Sequence, residues 1–195
     1  MLDPNEKLKR IEALNREIRA CEKCRLCETR THALPGEGNV SAKLVMIAQA
    51  PGYNEDREGR MFIGPSGKKL DMLLEKVNIE RGKIFITNLL RCTLPNYRKP
   101  RTDEIKICAS YLDRELELIN PDIISTLGYF AYNYIFKGYN IEDELGFPEV
   151  CGEVFEYGDK KIVPLQHPTA LLFNESIQDE MIEEYKALKR LIDTM

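Results

Sequence analysis

Short apolar runs that alternate with amphipathic helical segments are the sequence feature that most constrains this fold. The runs are residues 42–50, 83–90, 123–127 and 160–165. Their length and composition are typical of buried strands. Helical periodicity lies between them, at residues 67–77 and 103–119 and in an aromatic segment that ends at Phe136. Strands separated by helices usually pair in parallel, with helices on both faces of the sheet. We therefore predict an α/β fold, a three-layer α/β/α sandwich with a mainly parallel central sheet.

Amphipathic helices are also predicted near both ends of the chain. Apolar residues recur at helical spacing within residues 2–31, and residues 176–195 form a charged helical pattern with Ser176 as its N-cap. No run of eighteen apolar residues and no secretory leader pattern is present, so we expect a cytoplasmic protein that does not contact a membrane. The 195 residues, 43% apolar and 31% charged, predict a single domain over residues 1–195, and we expect a monomer.

The six cysteines indicate a metal centre. In a reducing compartment, cysteines at Cys-x-x-Cys spacing favour metal ligation over disulfides. Cys21 and Cys24 form such a pair, and Cys92 and Cys108 follow with fifteen residues between them. Four thiolates suit either zinc or an iron–sulfur cluster.

Spacing alone does not settle which four cysteines are ligands. Cys27 completes a Cys-x-x-Cys-x-x-Cys run like that of bacterial ferredoxins, so it could replace one of the four. Cys108 lies within a helical pattern, where a free cysteine is often just a small buried residue.

Two loops are the places where we expect chemistry. Ligands of parallel α/β sheets bind at the carboxyl ends of strands. Those ends fall at the turn after Ala50 and at the segment after Leu165. The net charge of −4 means that any contact with nucleic acid must use a local surface, because the field of the whole molecule does not attract phosphates.

Four short motif segments, spread along the chain, resemble those of a known family. They are residues 36–39 (GEGN), 48–56 (AQAPGYNED) with 59–64 (GRMFIG), 87–92 (TNLLRC) and 166–174 (QHPTALLFN). In this order, over almost the whole chain, they resemble the family 4 uracil-DNA glycosylases. The resemblance implies a DNA repair enzyme that flips uracil out of single- or double-stranded DNA and hydrolyses its N-glycosidic bond, leaving an abasic site.

The same resemblance implies a cofactor. The family's C-x-x-C and C-x15-C arrangement ligates a [4Fe–4S] cluster. Here the ligands would be Cys21, Cys24, Cys92 and Cys108. Cys27 and Cys151 would then be spare thiols.

The resemblance assigns three residues to the extruded base. Phe62 would stack on its face. Asn88 would donate to O4 and accept from N3–H, a polarity that cytosine reverses. His167 would be catalytic, donating to O2 as negative charge builds on the departing base. Without the motifs, a core phenylalanine, an asparagine that caps local backbone and a satisfied loop histidine would be the more common roles.

Contacts with DNA are implied for three further residues. Leu171 and Leu172 lie where the family inserts apolar side chains into the duplex. Ser66, at the start of a predicted helix, could bind a phosphate through the helix N-terminus. Packing on the core is the alternative for at least one of the leucines.

The chain departs from the family in its first motif. Gln49, between Ala48 and Ala50, replaces a usual glutamate. We expect these two alanines to line the substrate site and Gln49 to position water for a dissociative reaction. Glu55 is expected to crowd the C5 edge of uracil and exclude the methyl group of thymine.

Three other functions remain open at this point. A glycosylase for deaminated purines, hypoxanthine or xanthine, would use a similar pocket. A non-enzymatic nucleic-acid-binding module would hold zinc with the four cysteines. An electron carrier is disfavoured, because the cysteines are scattered along the chain and the aromatic, amide and histidine residues would have no function.

Overall fold

A computed structural model describes residues 3–194. In chain order the elements are helix α1 (Pro4–Arg19), strands β1 (Glu37–Gly38) and β2 (Leu44–Ala48), helices α2 (Tyr53–Glu58) and α3 (Pro65–Lys76), strand β3 (Phe85–Asn88), helix α4 (Thr102–Ile119), strand β4 (Ile123–Leu127), helix α5 (Tyr129–Gly138), strands β5 (Phe155–Tyr157) and β6 (Lys160–Leu165), and helices α6 (Ala170–Phe173) and α7 (Gln178–Asp193). Four short 3₁₀ turns lie between them, at Arg25–Glu28, Arg81–Lys83, Pro95–Tyr97 and Glu175–Ile177.

The strands form one sheet in the order β1-β3-β2-β4-β6-β5. The four central strands are parallel, and the short edge strands β1 and β5 pair antiparallel. Ala48 pairs with Asn88, and Leu127 pairs with Leu165. The register therefore brings the segments that follow β2, β3, β4 and β6 to the same edge of the sheet, as expected for parallel strands.

Helices cover both faces of the sheet. Helices α3 and α7 pack on one face, where Leu70, Leu74 and Leu188 are buried, and α4 and α5 pack on the other. Helix α1 packs against α4 through a third cluster that includes Leu14 and Ile18. The predicted three-layer α/β/α sandwich with a mainly parallel sheet is confirmed.

The predicted elements are present with bounds that mostly differ at one or both ends, as in α3 and α4, which begin before the predicted positions, and two of them, Ile123–Leu127 and Lys160–Leu165, coincide with the strands observed. Helix α1 ends at Arg19, before the cysteines. The predicted start of the first helix at Leu2 and the predicted end of the last helix at Met195 lie outside the described residues. None of the helices within residues 3–194 is long and apolar enough to cross a bilayer.

Two local predictions were wrong. The polar segment Tyr53–Glu58, expected as a loop, is helix α2, because tertiary hydrogen bonds to buried Glu55 and Asp56 replace an apolar stripe. Ser176 does not cap α7. The side chain of Asn174 accepts the Ser176 N–H instead and caps a 3₁₀ turn that precedes the helix.

Candidate active site

Phe62, Asn88 and His167 line one pocket of about 400 Å³ at the carboxyl edge of the sheet. Asn88 ends β3, His167 follows β6, and Phe62 lies on the turn that precedes α3. The centroids of the Phe62 and His167 rings are 6.1 Å apart. The structure therefore brings together the three side chains that were predicted to hold a base.

Phe62 is held in a strained backbone conformation. Its φ is +52°, which a bulky residue rarely adopts. Arg81 donates to the Met61 carbonyl over 2.9 Å and to the Phe62 carbonyl over 3.3 Å, and it is also paired with Asp71. A Cβ atom at Gly67 would lie 1.9 Å from the Phe62 carbonyl oxygen, so only glycine fits there. The main chain of Phe62, whose ring lines the pocket, is thus held in this conformation by the surrounding contacts.

Asn88 presents an unsatisfied acceptor. Its side chain is 2% exposed, and Nδ2 donates a weak hydrogen bond to the Met61 sulfur over 3.4 Å. Within residues 3–194, its Oδ1 is buried without a hydrogen-bond partner. A buried oxygen without a donor costs about 1–3 kcal/mol, so a ligand that supplies an N–H group would recover this energy.

His167 has a defined tautomer. The Thr169 backbone N–H donates to His167 Nδ1 over 3.1 Å, so the proton of the neutral ring is on Nε2. The ring is partly exposed to the pocket but enclosed by protein elsewhere, and burial lowers the pKa of His167 to about 4. At neutral pH the side chain is therefore an uncharged donor.

A buried ion pair, which the sequence reasoning missed, supports the strand that carries Asn88. Arg91 and Glu115 are each 1% exposed, with Nη2 and Oε2 2.9 Å apart. Thr87 donates to Glu115 over 2.6 Å and accepts from Arg91 over 2.5 Å. The Gly36 N–H donates to Glu115 over 2.9 Å. A glutamate on the mainly apolar face of a predicted helix was the signal for this network.

Two further predicted residues, Glu55 and Ser66, line the pocket and hydrogen-bond with neighbouring segments. Glu55 is buried, and its Oε1 accepts the Gly64 N–H over 2.7 Å. Ser66, in the first turn of α3, shares a hydrogen bond of 2.7 Å with Thr169. These contacts join α2, the start of α3 and the loop after β6.

Of the other predicted residues, some line the pocket and others lie in an adjoining cavity or in the core. Ala50 and Leu172 line the pocket, whereas Gln49 lines an adjoining cavity. Ala48 is fully buried at the end of β2. Leu171 is 1% exposed and packs in the core, because the apolar face of α6 turns toward α3 and β6, whereas Leu172 is 41% exposed. The structure thus places Leu171 away from the surface on which a DNA contact was predicted.

Four cysteines gather beside α1 and α4. Cys92 and Cys108 are buried, and Cys21 and Cys24 pack against the same cluster. Burial raises the pKa of the Cys92 thiol to about 11 and raises the pKa values of Cys24 and Cys108. Cys27, in the following 3₁₀ turn, is absent from this cluster.

The donors around these sulfur atoms suit a bound anionic group. Arg30 donates to Cys92 Sγ over 3.1 Å, and the Arg91 N–H donates to Cys108 Sγ over 3.2 Å. Such N–H···S contacts stabilise metal-bound thiolates. As they stand, the described residues contain no group of three or more His, Cys, Asp or Glu side chains that could hold a metal ion.

Comparison with known proteins gives consistent matches. The model of the uracil DNA glycosylase superfamily matches residues 35–189. The type-4 uracil-DNA glycosylase of Sulfurisphaera tokodaii is 39% identical over 189 residues, which cover 94% of this chain and 86% of that protein. The type-4 enzymes of Saccharolobus solfataricus and Archaeoglobus fulgidus are 41% and 37% identical, with coverage of 91% and 93% of this chain and 84% and 92% of their own lengths.

Proposed function

We propose that this chain, which belongs to the type-4 uracil-DNA glycosylase family, removes uracil from DNA by hydrolysing the N-glycosidic bond and leaves an abasic site. The observation that carries the proposal is the unpaired, buried Oδ1 of Asn88 in a pocket that also contains Phe62 and His167. This set provides one contact for each recognisable feature of an extruded uracil: its N3–H, its face and its O2.

Asn88 selects the base. Its Oδ1 accepts N3–H of uracil, and its Nδ2 donates to O4 in place of the weak contact with the Met61 sulfur. Cytosine presents an acceptor at N3 and a donor at C4, so both contacts would be repulsive and buried groups would remain unpaired. Glu55 and the loop around it close the pocket, in keeping with exclusion of a larger base.

His167 stabilises the leaving group. When the bond between N1 and C1′ breaks, the electron pair leaves with the base, and the negative charge spreads onto O2. A neutral Nε2–H donor that is already oriented, because Thr169 fixes Nδ1, stabilises this charge without reorganisation. The sugar becomes cation-like at C1′, where a water oxygen then bonds and loses a proton. Gln49 lines the cavity that adjoins the base pocket, and its amide is the group that we propose to position this water.

Contacts with DNA surround the pocket mouth. Ser66 lies in the first turn of α3, whose free N–H groups and dipole favour a phosphate. Leu172 and Phe173 are exposed on α6, at 41% and 86%, and can fill the gap that the extruded nucleotide leaves. Leu171 contributes by anchoring α6 to the core.

The four clustered cysteines are the ligands that we propose for a [4Fe–4S] cluster: Cys21, Cys24, Cys92 and Cys108. Support comes from their shared location and from the two N–H donors to sulfur. The cluster, when bound, would be a structural cross-link that ties the end of α1 to the segment from Cys92 to Cys108. Iron content and visible absorption test this. Cys108→Ser should lose both and Cys151→Ser should keep them, whereas stoichiometric zinc in colourless wild type would contradict the cluster.

Uracil release tests the function. Wild-type protein should convert single-stranded and U:G oligonucleotides to abasic products, revealed by alkaline cleavage, and leave matched thymine and cytosine oligonucleotides intact. Release of hypoxanthine or xanthine without uracil would replace the proposal with a deaminated-purine glycosylase. No release of any base would support a binding module.

A further inference from the structure

A second cavity of about 400 Å³ adjoins the base pocket. The two share a wall that includes Pro51, Tyr97 and His167. Gln49 and Tyr129 line only the second cavity. In the steps proposed above this cavity holds only the water that Gln49 positions, which leaves most of its volume free.

Tyr97 lies between the two cavities, and its ring is exposed. The side chain is 85% exposed, and no aromatic ring of the described chain stacks on it. Its φ is +54° and that of Asn96 is +53°. Two consecutive residues in this region are costly, and such strain persists where surrounding structure enforces it, commonly at functional sites.

The turn that carries Tyr97 is anchored on both sides. The Tyr97 N–H donates to the Leu94 carbonyl over 3.2 Å. The next residue, Arg98, makes two hydrogen bonds of 2.8 and 2.5 Å to fully buried Glu104. The main chain that carries the exposed ring is therefore fixed before a ligand binds. This reduces the conformational entropy that is lost on binding.

Gln49 supplies the polar end of the second cavity. Its backbone carbonyl accepts the Leu90 N–H over 2.9 Å, which fixes its position after β2. Its side-chain amide forms no hydrogen bond with any part of the chain that the structure describes. A free amide opposite aromatic walls can hydrogen-bond the edge of a planar ring held between them.

A nucleobase fits this cavity better than a phosphate does. The cation on its wall, Arg98, is already neutralised by Glu104. The remaining walls are largely aromatic or apolar, among them Tyr97, Tyr129 and Leu94. Proteins stack unpaired bases on aromatic side chains, and a free amide can hydrogen-bond the edge of such a base.

We propose that the second cavity binds the nucleobase next to the extruded uracil in the same strand, stacked on Tyr97 and hydrogen-bonded by Gln49. This inference rests on the proposed function and adds to it. A neighbouring base can enter only if it is unpaired, so the enzyme favours single-stranded DNA or a locally opened duplex over intact paired DNA. The shared wall explains how consecutive nucleotides reach both cavities at once.

Spacer oligonucleotides test the proposal. Single strands would carry one uracil with an abasic spacer in place of its 5′ neighbour, its 3′ neighbour or neither. For the wild-type holoenzyme, one of the two spacers should raise KM about tenfold, the size of one lost stacking contact. Tyr97→Ala should raise KM to a similar extent on the normal strand and respond little to the spacer, whereas Tyr97→Phe should behave like wild type.

One control variant and the wild-type rates separate the possible failures. Tyr157→Ala removes a partly exposed ring on β5, at the far edge of the sheet, and should leave KM unchanged. If the wild type releases uracil with the same KM from all three strands, or if Tyr97→Ala and the spacer act additively, the second-base site is overturned while the proposed function stands. If the wild type releases no uracil from any strand, the proposed function itself fails.

Discussion

The backbone N–H of Thr169 donates to Nδ1 of His167, and this contact decides what the histidine can do. With Nδ1 occupied as an acceptor, the ring can offer only Nε2–H to the pocket. Burial acts in the same direction, since it lowers the pKa of His167 to about 4 and keeps the ring uncharged. A neutral hydrogen-bond donor, which the proposed catalysis requires, is therefore built into the loop after β6.

The pH dependence should reflect this neutral histidine. Because the pKa of His167 is about 4, kcat/KM for uracil release should stay nearly constant from about pH 8 down to 5.5 and fall only as the pH approaches 4. The contribution of His167 to the unfolding free energy should also decrease below about pH 6.5, since its unfolded form then takes up a proton that the folded form does not, whereas Glu184, whose pKa burial raises to about 7, acts in the opposite direction. Circular dichroism at each pH separates the two effects. A loss of activity centred near pH 6.5 in folded protein would contradict the assignment.

Asn88→Asp should change which base is preferred. A carboxylate cannot donate to O4 of uracil, so uracil release should fall at least about tenfold, and release of cytosine should increase relative to uracil. Asn140→Asp makes the same chemical change at an exposed position and should leave both rates unchanged. An unaltered ratio of uracil to cytosine release in Asn88→Asp would count against the pocket as described.

Arg81 should act through Phe62. Arg81→Met removes the donors to the Met61 and Phe62 carbonyls, so the strained turn can relax and kcat/KM should fall about tenfold. The effect should largely disappear in a Phe62→Ala background, because there is then no ring to position. Arg114→Met, which breaks an exposed pair with Glu17, is the matched control. Full additivity of Arg81→Met with Phe62→Ala would refute a positioning role.

The buried Arg91–Glu115 ion pair should contribute more to the free energy of unfolding than an exposed ion pair does. Glu115→Ala leaves Arg91 buried and unpaired, which should lower the free energy of unfolding by about 3–5 kcal/mol. Glu17→Ala removes an exposed pair with Arg114 and should cost at most about 1 kcal/mol. Urea unfolding of both variants with the same metal content measures the difference. Similar losses in the two variants would mean that the buried network is dispensable.

The sheet and its helices could be predicted because burial leaves a periodic pattern in the sequence. Residues 123–127 and 160–165 are strands that burial alone identifies. Helix α2 escaped prediction because it is stabilised by long-range hydrogen bonds to its acidic side chains rather than by an apolar stripe.

The sequence predicted which residues form the site better than it predicted where each side chain points. Phe62, Asn88 and His167 meet as expected. Which of two adjacent leucines is exposed depends on how α6 rotates against the core, and the sequence alone does not specify this rotation. Likewise, Gln49 could be placed near the substrate but not assigned to the second cavity, and the contact of Arg81 with Phe62 joins residues that only the fold brings together.

The rate of uracil release under single-turnover conditions tests the central claim most directly, and the chain offers its own control because it has two histidines. His167→Ala removes the donor to the leaving group and should slow release about 100- to 1,000-fold. His32→Ala removes a ring whose Nδ1 contacts the Asp56 carbonyl at 2.6 Å, outside the pocket, and should leave the rate within about threefold of wild type. Release by His167→Ala at the wild-type rate, or an equal loss in both variants, would contradict the account.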